Sequence, residues 1–172
     1  MGSAIVVLLL AGCSGNTPGP GPGPGPGSGG TSTATPTGGS IPDPCTLVTK
    51  EAVAAAVGGA VGDGRSDLIS EPVLGEGREC SFRGTNGRGA FSLTVWPATR
   101  DDLALDREQS KGFGGVKDVA GLGDSAFTVG NNELHVFTGA YLVKLGLEQV
   151  KFDPDESLTH LSSLARSTVE KL

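Results

Sequence analysis

Two histidines and three cysteines are among the scarcest reactive residues in this 172-residue chain, and their spacing limits the chemistry open to them. His135 falls in the middle of a short alternating run, on the same face as Phe137, and reads as a half-buried sheet residue rather than a base. His160 lies between Leu158 and Leu161 in a helical pattern and reads as solvated. Neither stands at ligand spacing to a cysteine, so no metal set is expected. Serines are numerous, but none has the Gly-x-Ser-x-Gly setting that presents a nucleophile beside a His and a carboxylate. Asp101-Asp102 and Asp155-Glu156 read as acids in the first turn of a helix, where the helix dipole favours them, and neither pair has EF-hand spacing. Gly121-Leu122-Gly123-Asp124-Ser125-Ala126 matches a dinucleotide-binding fingerprint by letter. A strand follows it instead of a helix, so no helix N-terminus would face a pyrophosphate, and a tight turn is the better reading. No catalytic, cofactor-binding or metal-binding residue is expected, and the protein is expected not to be an enzyme.

The first cysteine has a more specific setting. Residues 4–11 form an apolar run that stops at Gly12-Cys13, the length of a signal-peptide hydrophobic region and well short of the roughly 18 residues a spanning helix needs. Leu10-Ala11-Gly12-Cys13 resembles the lipobox of bacterial lipoproteins, in which the Cys thiol receives a diacylglyceryl group and becomes the mature N-terminus. Small residues precede that Cys so that the peptidase can reach the scissile bond. Residues 1–12 are therefore expected to be a lipoprotein signal peptide, with Cys13 lipidated and the mature chain on the extracytoplasmic face of the cell membrane. Met1-Gly2-Ser3 lacks the Lys or Arg with which signal peptides open, so the translation start is expected upstream.

After Cys13 comes a stretch that cannot fold. Residues 14–42 contain ten Gly and seven Pro and almost nothing apolar, so no core could offset the entropy of ordering them. Gly recurs at every second position rather than every third, which excludes a collagen helix. Residues 13–42 read as a lipidated Cys followed by a disordered tether, spanning ~30 Å as a coil and up to ~90 Å as extended polyproline II. No charged residue occurs before Asp43, so all 13 Lys and Arg and all 19 Asp and Glu fall in residues 43–172, the length of one ordinary globular domain. The net charge of −6 and the lack of any Lys/Arg block argue against nucleic acid as a partner.

With Cys13 assigned to lipid, Cys45 and Cys80 remain as a pair in an exported chain, where thiols oxidise readily. A structural disulfide is the expectation. A redox motif would bring the two residues within a few positions of each other.

The elements that would position these residues follow from caps and periodicity. Thr49 is a good N-cap with Val48 placed to staple onto Val53, and Gly58-Gly59 ends that helix. A weak strand at residues 67–70 is followed by strands at 79–83 and 91–96 around a turn containing Asn86-Gly87. A second helix spans residues 101–111, capped by Thr99, and strands follow at 125–129, 133–138 and 140–147. Asp153-Pro154-Asp155-Glu156 opens a terminal helix. The expected fold class is α+β, an antiparallel sheet covered by helices in the order α-βββ-α-βββ-α, with a duplicated helix-plus-strands unit as one explanation of that order.

Asp43-Pro44-Cys45-Thr46-Leu47-Val48-Thr49, then Ala52-Val53-Ala54-Ala55-Ala56-Val57-Gly58, then Glu79-Cys80-Ser81-Phe82, then Val119-Ala120-Gly121-Leu122-Gly123-Asp124-Ser125-Ala126-Phe127 form a recognisable succession. Together with the lipobox and tether, it resembles the actinobacterial lipoproteins grouped as domain-of-unknown-function family 3558. The resemblance spans roughly residues 43–172 and implies an envelope location, a lipid anchor and paired cysteines. It implies no catalytic residue.

Two functions of different class are left. The first is a non-catalytic module that binds an envelope protein or a small ligand, anchored to the membrane by lipid and needing no cofactor. The second is an enzyme of unrecognised type acting on cell-wall or lipid material. Trp96, the only Trp, alternates away from Phe91, Leu93 and Val95 and is the candidate partner contact. If a helix covers its face, Trp96 is instead second-layer core.

Overall fold

In the computed structural model, residues 40–150 and 153–172 are described. The expected signal peptide, Cys13 and nearly all of the tether lie outside the described residues. Seven antiparallel strands form one sheet: β1 (Arg65–Glu71), β2 (Gly75–Arg83), β3 (Ala90–Pro97), β4 (Val116–Asp118), β5 (Ser125–Val129), β6 (Glu133–Thr138) and β7 (Tyr141–Glu148). Their order across the sheet is β1-β2-β3-β7-β6-β5-β4, two meanders joined where β3 runs beside β7. The helices are α1 (Pro44–Leu47), α2 (Lys50–Val57), α3 (Arg100–Ser110) and α4 (Pro154–Val169). No helix among the described residues is long and apolar enough to cross a membrane.

The α+β class holds, and the expected element order needs correction. The second half has four strands, because β4 pairs with β5 through Val116↔Val129 and Asp118↔Phe127. Three residues after a Gly-rich loop are too few to show alternation, so β4 left no readable pattern. A duplicated unit does not follow either. Antiparallel neighbours such as β3 and β7 are related by a dyad normal to the sheet, which keeps each leading helix on the same face. Here α2 packs its Val53, Ala56 and Val57 on one face, whereas Leu103 of α3 joins the cluster on the other.

The helices start where their caps dictate. Thr49 Oγ1 accepts from Ala52 N, and Asp153 Oδ1 accepts from Glu156 N. Thr99 and Asp102 form a reciprocal capping box at α3.

Strand alternation then divides the interior into two layers. On the first face, Phe91, Leu93 and Val95 of β3 and Val143, Leu145 and Leu147 of β7 meet Leu161, Leu164 and Ala165 of α4. On the second face lies a smaller cluster that includes Trp96, Phe127, Phe137 and Leu142, with Leu103 of α3 packed against it. Helix α3 covers only part of this face, and the open remainder holds the site.

Candidate functional site

Along α3, Leu103, Asp106 and Ser110 recur at helical spacing and are buried, so this stripe faces the sheet. Leu103 anchors the stripe in the apolar cluster. Asp106, one turn later, is only 6% exposed and meets two cations. Beneath it, the tight connection from β6 to β7 pairs Thr138 with Tyr141 and so sets His135 directly opposite Lys144. The Nδ1–H of His135 donates to Asp106 Oδ2 at 2.6 Å, and Lys144 Nζ donates to Asp106 Oδ1 at 2.8 Å. One carboxylate thus bridges a cross-strand His–Lys pair and ties α3 to the middle of the sheet.

Surrounding groups hold the two cations in place. The Lys144 ammonium lies 4.9 Å from the centroid of the Trp96 ring and 3.6 Å from Glu71 Oε2. The imidazole of His135 packs against Phe127, with ring centroids 4.9 Å apart. Its Nε2 is buried and has no hydrogen-bond partner among the described residues; the nearest acid, Glu133 Oε2, is 3.6 Å away, an ion-pair distance longer than a hydrogen bond.

Burial pushes the Asp106 carboxyl up, but hydrogen bonds and charge from His135 and Lys144 outweigh it and hold the pKa below the ordinary value. Burial also pushes the His135 pKa down. The contacts with Asp106 and Glu133 overcome that effect and the opposing Lys144 charge, so His135 is raised above its ordinary value. Contact with His135 in turn lowers Glu133 against the opposing effect of burial.

Next to this cluster the sheet is uncovered, and a groove of about 650 Å³ opens between α3 and the strands. Its floor is low because β7 presents Gly146 there, beside Ser92 of β3. Glu79, Glu133 and Glu148 stand around that floor, and the exposed Phe113 lies at the rim. Burial, with help from Asp67 and Glu148, raises the Glu79 pKa. No group of three or more His, Cys, Asp or Glu among the described residues is placed to hold a metal ion.

Of the residues singled out from sequence, Cys45 and Cys80 are joined by a disulfide, with Cα atoms 5.1 Å apart. The bridge pins α1 to β2 on the first face, away from the groove. Trp96 does lie on the second face, but it is 2% exposed, which corrects the expectation of an exposed contact. A Cβ at Gly77, its neighbour on β2, would stand 2.5 Å from Trp96 Nε1, so the missing side chain makes room for the indole. Trp96 is second-layer core that also supports Lys144.

His135 is more deeply buried than half-buried, at 3% exposure, and is charge-paired. Asp106 and Lys144 were not singled out. The signal for both was available: a carboxylate on the apolar stripe of a helix, and a Lys between Leu142 and Gly146 on a strand.

The Gly-Leu-Gly-Asp segment is a turn, as its letters suggested. Gly123 has φ +54°, and Asp124 Oδ2 accepts from Gly139 N at 2.8 Å, fastening the start of β5 to the β6–β7 turn. Asp43 caps α1 by accepting from Cys45 N at 3.1 Å. Both segments are structural. The arrangement as a whole is an α+β sheet with one closed face and one grooved, charged face.

A family model described as "Protein of unknown function (DUF3558)" matches residues 8–137, well over half of the chain, and the chain belongs to that family. The match includes Asp106 and His135 and stops before Lys144. No curated protein and no solved structure matches the chain.

Proposed function

We propose that this chain is a lipid-anchored lipoprotein of an actinobacterial cell envelope, facing outward from the membrane, and that its domain is a non-catalytic module binding a small polar ligand. The groove on the second sheet face carries the binding part. At about 650 Å³ it lies within the size range of small-molecule sites, and part of its polar wall is fixed by the Asp106, His135 and Lys144 charge cluster. The anchoring part rests on Leu10-Ala11-Gly12-Cys13 and the Pro/Gly tether, which would let the module stand clear of the bilayer.

One observation favours an enzyme instead: Asp106 and His135 form an acid–base pair at the groove. It is the weaker reading. A hydrolytic dyad sets its second ring nitrogen beside a nucleophilic hydroxyl or thiol, whereas among the described residues Nε2 of His135 has no such group within hydrogen-bond distance and stands 3.6 Å from Glu133 Oε2.

The test is copurification. The protein is extracted from membranes in mild detergent, and small molecules released on denaturation are compared with those from a Gly146→Leu variant, whose side chain would fill the floor. A molecule held by the parent and lost from the variant supports the module. Identical, empty extracts count against it.

A further inference from the structure

We infer that the groove takes a small organic ammonium that also carries hydrogen-bonding oxygens; this rests on the groove being the binding site. The inference comes from which charges in the groove are already spent. Lys144 is committed to Asp106 and Glu71 and covered by the Trp96 ring, so it has little left to offer an anion. Among the described residues, five carboxylates line the groove against Lys144 and His135, leaving a negative excess.

Two of those carboxylates have no cation among the described residues. Glu79 on β2 and Glu148 on β7 make no ion pair with any described residue, and they stand on either side of the floor formed by Ser92 and Gly146. Glu79 is half-buried and Glu148 exposed; burial and the charge of Glu148 both disfavour ionised Glu79 in the empty protein, and an ammonium between the two carboxylates relieves that repulsion.

An independent observation supplies the oxygen requirement. His135 is 3% exposed and lines the same groove, yet among the described residues its Nε2 has no hydrogen-bond partner, Glu133 Oε2 standing 3.6 Å away. In the charged ring Nε2 carries a proton, so it wants an acceptor such as a hydroxyl or carbonyl oxygen. The ligand therefore presents cationic and acceptor groups together. Phe113, 78% exposed at the rim, gives its apolar part a surface to lie against.

The experiment compares three probes of one size: glucosamine, glucose and gluconate. Each is titrated at pH 6.5 into the full chain carrying Cys13→Ser, with Trp96 fluorescence and amide chemical shifts as readouts. Glucosamine is expected to saturate, with shifts centred on Ser92, Glu133 and Gly146. Glu79→Gln combined with Glu148→Gln is expected to weaken it by about tenfold or more, as when a charge-assisted contact is lost, and Gly146→Leu to abolish it.

The double Gln variant should be no less stable than the parent, which separates loss of ligand contact from loss of fold. Magnesium chloride at equal ionic strength should not reproduce the shifts. Binding of glucose or gluconate in preference to glucosamine, still blocked by Gly146→Leu, overturns the ammonium assignment and leaves the groove as a site. Equal response to magnesium, or unchanged affinity in the double Gln variant, also overturns the assignment. No Gly146-sensitive response to any of the three probes sinks both readings.

Discussion

Asp106→Asn keeps the shape of the side chain and removes the charge that holds His135 and Lys144 together. Breaking a buried ion pair from one side typically costs about 3–5 kcal/mol, because the partner is left uncompensated. Here the loss is smaller. The Lys144 side chain is 20% exposed and has Glu71 at 3.6 Å, so part of its charge stays balanced. His135 can shed its proton. About 2–4 kcal/mol is the expected destabilisation, a large share of the stability of one domain.

The loss should also depend on pH. His135 has a folded pKa raised above 6.5, so its contribution is complete below 6.5 and fades as pH rises through the raised value. Asp106 has a folded pKa held below 3.8, so its contribution is present above 3.8 and fades as pH falls through the lowered value. Both are at full strength between 3.8 and 6.5. Urea melts of parent and variant at about pH 5.5 and about pH 8.5, followed by Trp96 fluorescence, read the difference. The variant should lose most at the lower pH. An equal loss at both, or a loss under about 1 kcal/mol, would refute the charged bridge.

Other consequences are simpler to read. Cys80→Ser should cost about 2–5 kcal/mol by opening the loop from Cys45 to Cys80, seen as a lower urea midpoint; an unchanged midpoint contradicts the structural role given to the bridge. Thr99→Ala removes the capping box of α3 and should cost about 1–2 kcal/mol, with helix amides at residues 101–103 exchanging faster than in the parent. Gly123→Ala would strain φ +54° and bring a Cβ to 2.5 Å from Phe137 O; a loss of about 1–3 kcal/mol is expected, and a neutral result would mean the turn can relax. Cys13→Ser should abolish labelling by an alkyne fatty acid and release the protein from the membrane fraction. Unaltered labelling would remove the anchor from the proposal.

Much of the scaffold could be read from residues alone, and the reason is local. Thr49, Thr99 and Asp153 are caps whose chemistry acts within three residues, so the helices they open lie close to where the spacing put them. Alternation in residues 141–148 depends only on period two, and the structure accordingly puts Val143 and Leu145 in the first-face core and Lys144 on the opposite face. The one-turn helix α1 and the three-residue β4 are too short to leave a period.

The site is a different kind of object. It needs the register of β6 against β7, the choice of face by α3, and one buried acid among many exposed ones. The register was within reach, because the two-residue turn at Gly139-Ala140 counts back to the pair His135 and Lys144. The crossing of α3 over the second face was not. That face is chosen by where Leu103 finds Trp96, Phe127 and Phe137, contacts among residues from three separate strands. His135 looked like an ordinary sheet histidine because its partner comes from another element 29 residues away.

Whether the second face is a charged site or merely a second core rests on the protonation of His135. An NMR titration of its ring nitrogens reads that state directly, using the full chain with Cys13→Ser. A midpoint above 6.5 that falls in the Asp106→Asn variant, with Nδ1 keeping its proton, is the predicted result. A midpoint at or below 6.5, unmoved by that substitution, would make His135 a neutral core residue and contradict the account.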